Sequence, residues 1–256
     1  MSKFRLQTKN FFMLYKMNMH ILEILTFSLI PFSLTLIGGT LALRMKVSRF
    51  WCSVVQHFVA GILLGTVSIE LMPEILNTDA PLTTTVAFFL GVFAMMLLHA
   101  LSNKLGEFQV GNDLPLGAIF ASALDLFIDG IILSIAFLAG METGILVALS
   151  LGFCALFLNL NIGMTLRRKP LGLFLKMLII ALVAISFLLG SFVGYHILDA
   201  MPGNYLIECL SFGVAALLYL GIEELLVEGH KVKDKIWTPG LFFLGFWMIL
   251  LFKCVI

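Results

Sequence analysis

Residues 115–139 read Pro115-Leu-Gly-Ala-Ile-Phe-Ala-Ser-Ala-Leu-Asp125-Leu-Phe-Ile-Asp129-Gly130-Ile-Ile-Leu-Ser-Ile-Ala-Phe-Leu-Ala139. Apart from two aspartates the stretch is apolar or small, and it is long enough to cross a ~30 Å hydrocarbon core as a helix. Alternation with period two is absent, which argues against a barrel strand. A helix also satisfies its own backbone polar groups, as hydrocarbon demands. Asp125 and Asp129 are four residues apart and so project from one helix face. A carboxylate near mid-bilayer costs about 2.5–3.5 kcal/mol on insertion scales. Two like charges at this spacing repel, and a shared cation or a shared proton relieves them. Gly130 allows a neighbouring backbone to approach. The favoured reading is a cation or proton site; the plainer one is a pair of protonated aspartates hydrogen-bonded inside a bundle.

The same pattern extends in both directions. Apolar runs cover 21–43, 52–72, 83–102, 115–139, 143–166, 171–198, 205–228 and 237–256. They predict an all-α, polytopic bundle of eight transmembrane helices, with 21–256 as one membrane domain. Composition agrees: 61% of the 256 residues are hydrophobic and 12% are charged, about half the ~25% of a soluble domain. The mean hydropathy is +1.08. A soluble fold has nowhere to put so much apolar surface. A secreted disulfide domain and a disordered chain are excluded. A formal net charge of +1 leaves no footprint for nucleic acid. Cys52, Cys154, Cys209 and Cys254 fall in or beside the runs without a CxxC pair, and read as small buried side chains.

Loop charge predicts the orientation. Arg44, Lys46 and Arg49 follow the first run, Lys104 the third, Arg167, Arg168 and Lys169 the fifth, and Lys231, Lys233 and Lys235 the seventh. The even-numbered loops carry neither Lys nor Arg. The odd loops are therefore expected in the cytoplasm of a multi-pass cell-membrane protein, with both termini outside. The 1–20 tail conflicts with this, since it holds Lys3, Arg5, Lys9 and Lys16. Translation starting at Met17 or Met19 removes all four charges; otherwise the loops outvote the tail.

Other polar residues in the runs are few. Asn159 and Asn161 in the fifth differ by about 200° around a helix and cannot face one partner. Each reads first as an interhelical hydrogen-bonder, and one of them is free to complete an oxygen-ligand site. Glu70 and Glu74 end the second run, and Glu223, Glu224 and Glu228 end the seventh. Near helix ends such acids reach the interface or line a vestibule. His57, His99 and His196 read as packing or hydrogen-bonding histidines, and His20 and His230 as exposed.

Three of these segments together resemble the ZIP divalent metal transporters. Phe58-Val-Ala-Gly61 leading to Leu71-Met-Pro73-Glu74 is similar to that family's second span. Asp125-Leu-Phe-Ile-Asp129-Gly130 looks like the fourth-span signature H-N-x-x-[ED]-G. Gly213-Val-Ala-Ala-Leu-Leu-Tyr219 with Glu223 and Glu224 is similar to the seventh-span pattern. The resemblance covers roughly residues 25 to 256 and implies eight spans with both termini outside. It also implies a metal site between the fourth and fifth spans. The departures are as clear. Asp125 stands where the family has histidine, Leu126 where it has asparagine, and Glu70 where many members have histidine. With Gly163 on the last glycine of the fifth-span pattern, Leu158 and Asn159 fall on the two ligand positions. Asn161 then replaces the proline and Ile162 the glutamate.

What the resemblance implies is a permease moving a divalent cation of the Zn, Mn or Fe class towards the cytoplasm, with Asp125, Asp129 and Asn159 as the metal set. That set is all oxygen, which suits ions harder than Zn²⁺, such as Mn²⁺ or Mg²⁺. The alternative is a ZIP-fold protein that has lost transport and senses, regulates or scaffolds. No catalytic cofactor and no enzyme activity are expected. The two aspartates share one helix, whereas intramembrane aspartyl enzymes bring theirs from two, and no Ser/His or HExxH arrangement occurs. The partners expected are lipid and the cation. Gly61, Gly65 and other small residues permit close helix contacts, either within the chain or across a homodimer.

Overall fold

The computed structural model describes residues 21–45, 48–78, 80–107, 115–201, 205–231 and 237–255. The 1–20 tail and its alternative starts lie outside these residues. Every regular element described is helical. Helix α1 is Ile21–Arg44, α3 is Pro81–Glu107, α4 is Leu116–Ala136, α5 is Met141–Arg167, α6 is Leu173–Ala200 and α8 is Thr238–Val255. Helix α2 runs Arg49–Thr66, widens into a π turn at Val67–Leu71 and ends as Met72–Leu76. Helix α7 runs Leu206–Tyr219, widens at Leu220–Leu226 and ends as Val227–His230.

The first widening has a local cause. Pro73 has no N–H for the Ile69 carbonyl and its ring crowds that carbonyl. The Met72 N–H donates instead to Val67, five residues back. The second widening contains no proline, and Gly221 is its small residue. The α4–α5 connection is tight because Gly140 adopts φ 143°, a region that side chains with a Cβ rarely enter.

Seven of the helices are long and apolar enough to cross a membrane, so the chain is a multi-pass integral membrane protein. The eighth run, expected as a span over 237–256, forms the 18-residue α8. At 1.5 Å per residue that is about 27 Å, and the described part of this helix is shorter than the seven spans.

Packing joins the helices in four parallel pairs, each tightened by glycine. Gly38 of α1 meets the backbone of Leu156 in α5, and Gly163 meets that of Gly39. Gly61 and Gly245 seat α8 on α2. Gly91 seats α3 on Phe212 of α7. Gly130 and Gly190 seat α4 on α6, where the Ser134 hydroxyl donates to the Ser191 carbonyl at 2.9 Å. Helices α2 and α7 run antiparallel. The Ser53 hydroxyl, near the start of α2, donates to the Gly229 carbonyl, near the end of α7, at 2.8 Å. Gly221, earlier in α7, meets Leu63 and Leu64, later in α2.

These contacts fix the two ends of the bundle. One end gathers Arg44, Lys104, Arg167, Arg168, Lys169, Lys176 and Lys231. The other carries Lys253, whose ammonium pairs with Glu70 at 2.9 Å. Helices α2, α4, α5 and α7 are the more buried, and their apolar contacts include Val59, Leu126, Leu151, Val214 and Leu217. Phe89, Phe93, Phe174 and Trp247 point outward, as expected where the surroundings are lipid.

Candidate functional site

Helices α4 and α7 bring their acids together. A cavity of ≈ 400 Å³ is lined by Asp125 and Asp129 from α4 and by Glu223 and Glu224 from the widened part of α7. Gln56 of α2, His99 of α3, Cys154 and Asn161 of α5, and Lys231 complete its polar wall. Asp125, Asp129 and Glu224 lie close enough to repel one another electrostatically. The His99 Nδ1 stands 3.9 Å from Glu224 Oε1, and its ring lies 6.0 Å from that of Tyr219. A second, smaller hollow between Met95, Ile128 and Leu220 shares Asp125, Asp129, His99 and Glu224 with the first. The acids therefore stand where α3, α4 and α7 meet.

Position along each helix gives the cavity a direction. Asp125 is nine residues into α4, about 14 Å from its start and near the middle of the helix. Gln56 is close to the start of α2, and Lys231 lies just beyond α7. The hollow thus runs from mid-bundle to the end that carries the basic loops.

The structure sorts the residues singled out in the sequence. Asp125 is half-buried and Asp129 only 5% exposed, and both line the cavity. Asn159 is fully buried and is not among the cavity's lining residues; its amide donates to the Ala155 carbonyl at 3.2 Å. Its Oδ1 is buried with no hydrogen-bond partner among the described residues. Asn161, on the other face of α5, lines the cavity instead. Glu70 is taken by Lys253 at the far end. His57 has no place in the wall: its Nδ1 lies 2.8 Å from the Ser53 carbonyl and its ring 4.8 Å from that of His230. His196 packs on Phe192. The four cysteines are free thiols.

Residue type alone marks Glu223, Glu224 and His99 only as helix-end acids and a packing histidine. Their contribution depends on the widening of α7 and on the pairing of α3 with α7. Among the described residues no three His, Cys, Asp or Glu converge tightly enough to chelate an ion. The arrangement is a polar-walled hollow lined by four carboxyl groups, with Lys231 and His99 as its basic members.

No protein-family model matches this chain, and no curated protein matches it.

Proposed function

We propose that the chain is a ZIP-like membrane permease that passes a divalent cation towards the cytoplasm through the acidic cavity. The observation that carries this reading is the cavity itself. Four carboxylates from α4 and α7 line a hollow that runs from mid-bundle to the basic-loop end. Intramembrane carboxylates facing a polar hollow mark ion pathways. The positive-inside rule assigns the basic end to the cytoplasm, so the described conformation is inward-facing, with eight passes and both termini outside. Transport then requires one set of helices to rock against another. The Glu70–Lys253 pair and the Thr83–Glu208 hydrogen bond of 2.8 Å sit at the opposite end.

The test is uptake of Mg²⁺, Mn²⁺ and Zn²⁺ by proteoliposomes containing the purified chain. Uptake above that of empty vesicles is expected. Asp129→Asn should lower it about tenfold or more, equivalent to ~1.4 kcal/mol. Equal uptake with and without the protein counts against a permease.

One observation favours the second reading, a related protein without transport. Helix α5 brings no carboxylate to the cavity, only Cys154 and Asn161 among its polar residues. The uptake assay separates the two readings, and calorimetry then tells a relative that senses one of the three ions from one that binds none of them.

A further inference from the structure

Asp125, Asp129, His99 and Glu224 border both the large cavity and a hollow of only ≈ 10 Å³ beside it, yet they do not form a bare-ion cage. No three His, Cys, Asp or Glu among the described residues form a chelating group. Yet Asp129 is only 5% exposed, faces the hollow and accepts no hydrogen bond from a described residue. A carboxylate removed from bulk water and left without a donor is costly, so this one needs water or a cation beside it. The hollow of ≈ 400 Å³ has room for roughly a dozen waters at ~30 Å³ each. A bare ion would leave most of that space unused. An ion with six waters still bound fills about half of it, at the same ~30 Å³ per water.

Ion chemistry divides on this point. Zn²⁺ seeks a convergent, near-tetrahedral set that includes nitrogen or sulfur. Mg²⁺ dehydrates reluctantly, keeps several waters and needs only one or two carboxylates. In the cavity, His99 stands beside Glu224 at 3.9 Å and does not converge with Asp125 and Asp129 on one point. Carboxylates placed around a wet volume serve as acceptors for the water shell of an ion.

We propose that the cavity takes its divalent cation with much of the inner water shell in place. Asp125, Asp129 and Glu224 hold it largely through water, and the preferred substrate is a hard, slowly dehydrating ion of the Mg²⁺ kind. This rests on the permease reading and names the substrate class of the same site.

Cobalt(III) hexammine tests it, because its ammines do not exchange and it binds only through a complete shell. Calorimetry on the purified full chain is expected to show hexammine competing with Mg²⁺ at the same site. Asp129→Asn and Glu224→Gln, each checked for a monodisperse peak in detergent, should weaken both ligands about tenfold. Proteoliposomes should take up Mg²⁺ faster than Zn²⁺, and hexammine should block that uptake. Zn²⁺ uptake with no hexammine binding overturns the inference and leaves the permease standing. Hexammine binding that survives both substitutions is surface charge and also overturns it. Uptake of none of Mg²⁺, Mn²⁺ and Zn²⁺ removes the permease reading, and the inference with it.

Discussion

Asn159 and Asn161 are two residues apart in sequence and differ sharply in surroundings. Asn159 is wholly buried and spends its amide on its own helix. Its Oδ1 is left without a donor among the described residues, a state that costs about 1–3 kcal/mol. Asn159→Leu keeps the branched shape at a larger volume and removes that orphan, so the added bulk and the lost orphan offset each other, thermal stability in detergent should change little, and cation uptake should persist. Asn161→Leu places an apolar group in the wall of the hollow, and uptake should fall. Uptake lost in Asn159→Leu and kept in Asn161→Leu would reverse the assignment. At this scale the sequence is partly legible. The i, i+4 spacing of Asp125 and Asp129 puts them on one face in any α-helix. The two asparagines can be separated by angle, but nothing in one sequence says which side of α5 faces α4. Glu224 is harder. It lies inside the π turn Leu220–Leu226, and one extra residue in a turn rotates the rest of the helix by about 100°. No proline announces that turn, whereas Pro73 does announce the one holding Glu70.

At the scale of helices, glycine decides which elements touch. A Cβ at Gly190 would overlap the carbonyl of Phe127, and one at Gly130 the carbonyl of Phe187. Both contacts hold α4 on α6, the helix that backs the aspartate-bearing face. Overpacking such a crossing costs about 1–3 kcal/mol or more. Gly190→Val should therefore lower the thermal midpoint and reduce cation binding together, because α4 must move off its support. A Cβ at Gly240 would meet no heavy atom within 4 Å, and the residue lies in the first turn of α8. Gly240→Ala should be neutral, or stabilising by up to about 1 kcal/mol through helix propensity. Thermal unfolding in detergent checks both, and equal effects at the two positions would deny the crossing its role. Sequence shows that Gly61 and Gly65 permit close approach, without saying to what. They are used within the chain, on Phe242, Phe246 and Ile249 of α8. Helix pairing is a non-local property, so spans and their order are legible while the pairs are not.

Over the whole molecule, the basic loops and the mouth of the hollow lie at the same end. The loop count predicts that the odd loops face the cytoplasm. The packing gathers Arg44, Arg167, Arg168, Lys169 and Lys231 at one end, and the acidic hollow runs to that end. Glu70 and Lys253 pair at the other. This combination ties the orientation to the direction in which the cavity is open, and the native thiols supply a way to test it. Cys254 is exposed and adjoins Lys253, at the end without basic loops. A membrane-impermeant maleimide should label Cys254 on intact cells. In a Cys254→Ser background, Arg168→Cys should label only after permeabilisation, because Arg168 is exposed at the basic end. Cys154 is buried but lines the hollow, so a small permeant thiol reagent should reach it, and Mg²⁺ should slow that reaction if the cation fills the same space. Labelling of Arg168→Cys on intact cells and of Cys254 only after permeabilisation would invert the molecule. The hollow would then face outward, and the direction of transport would have to be argued again from that end.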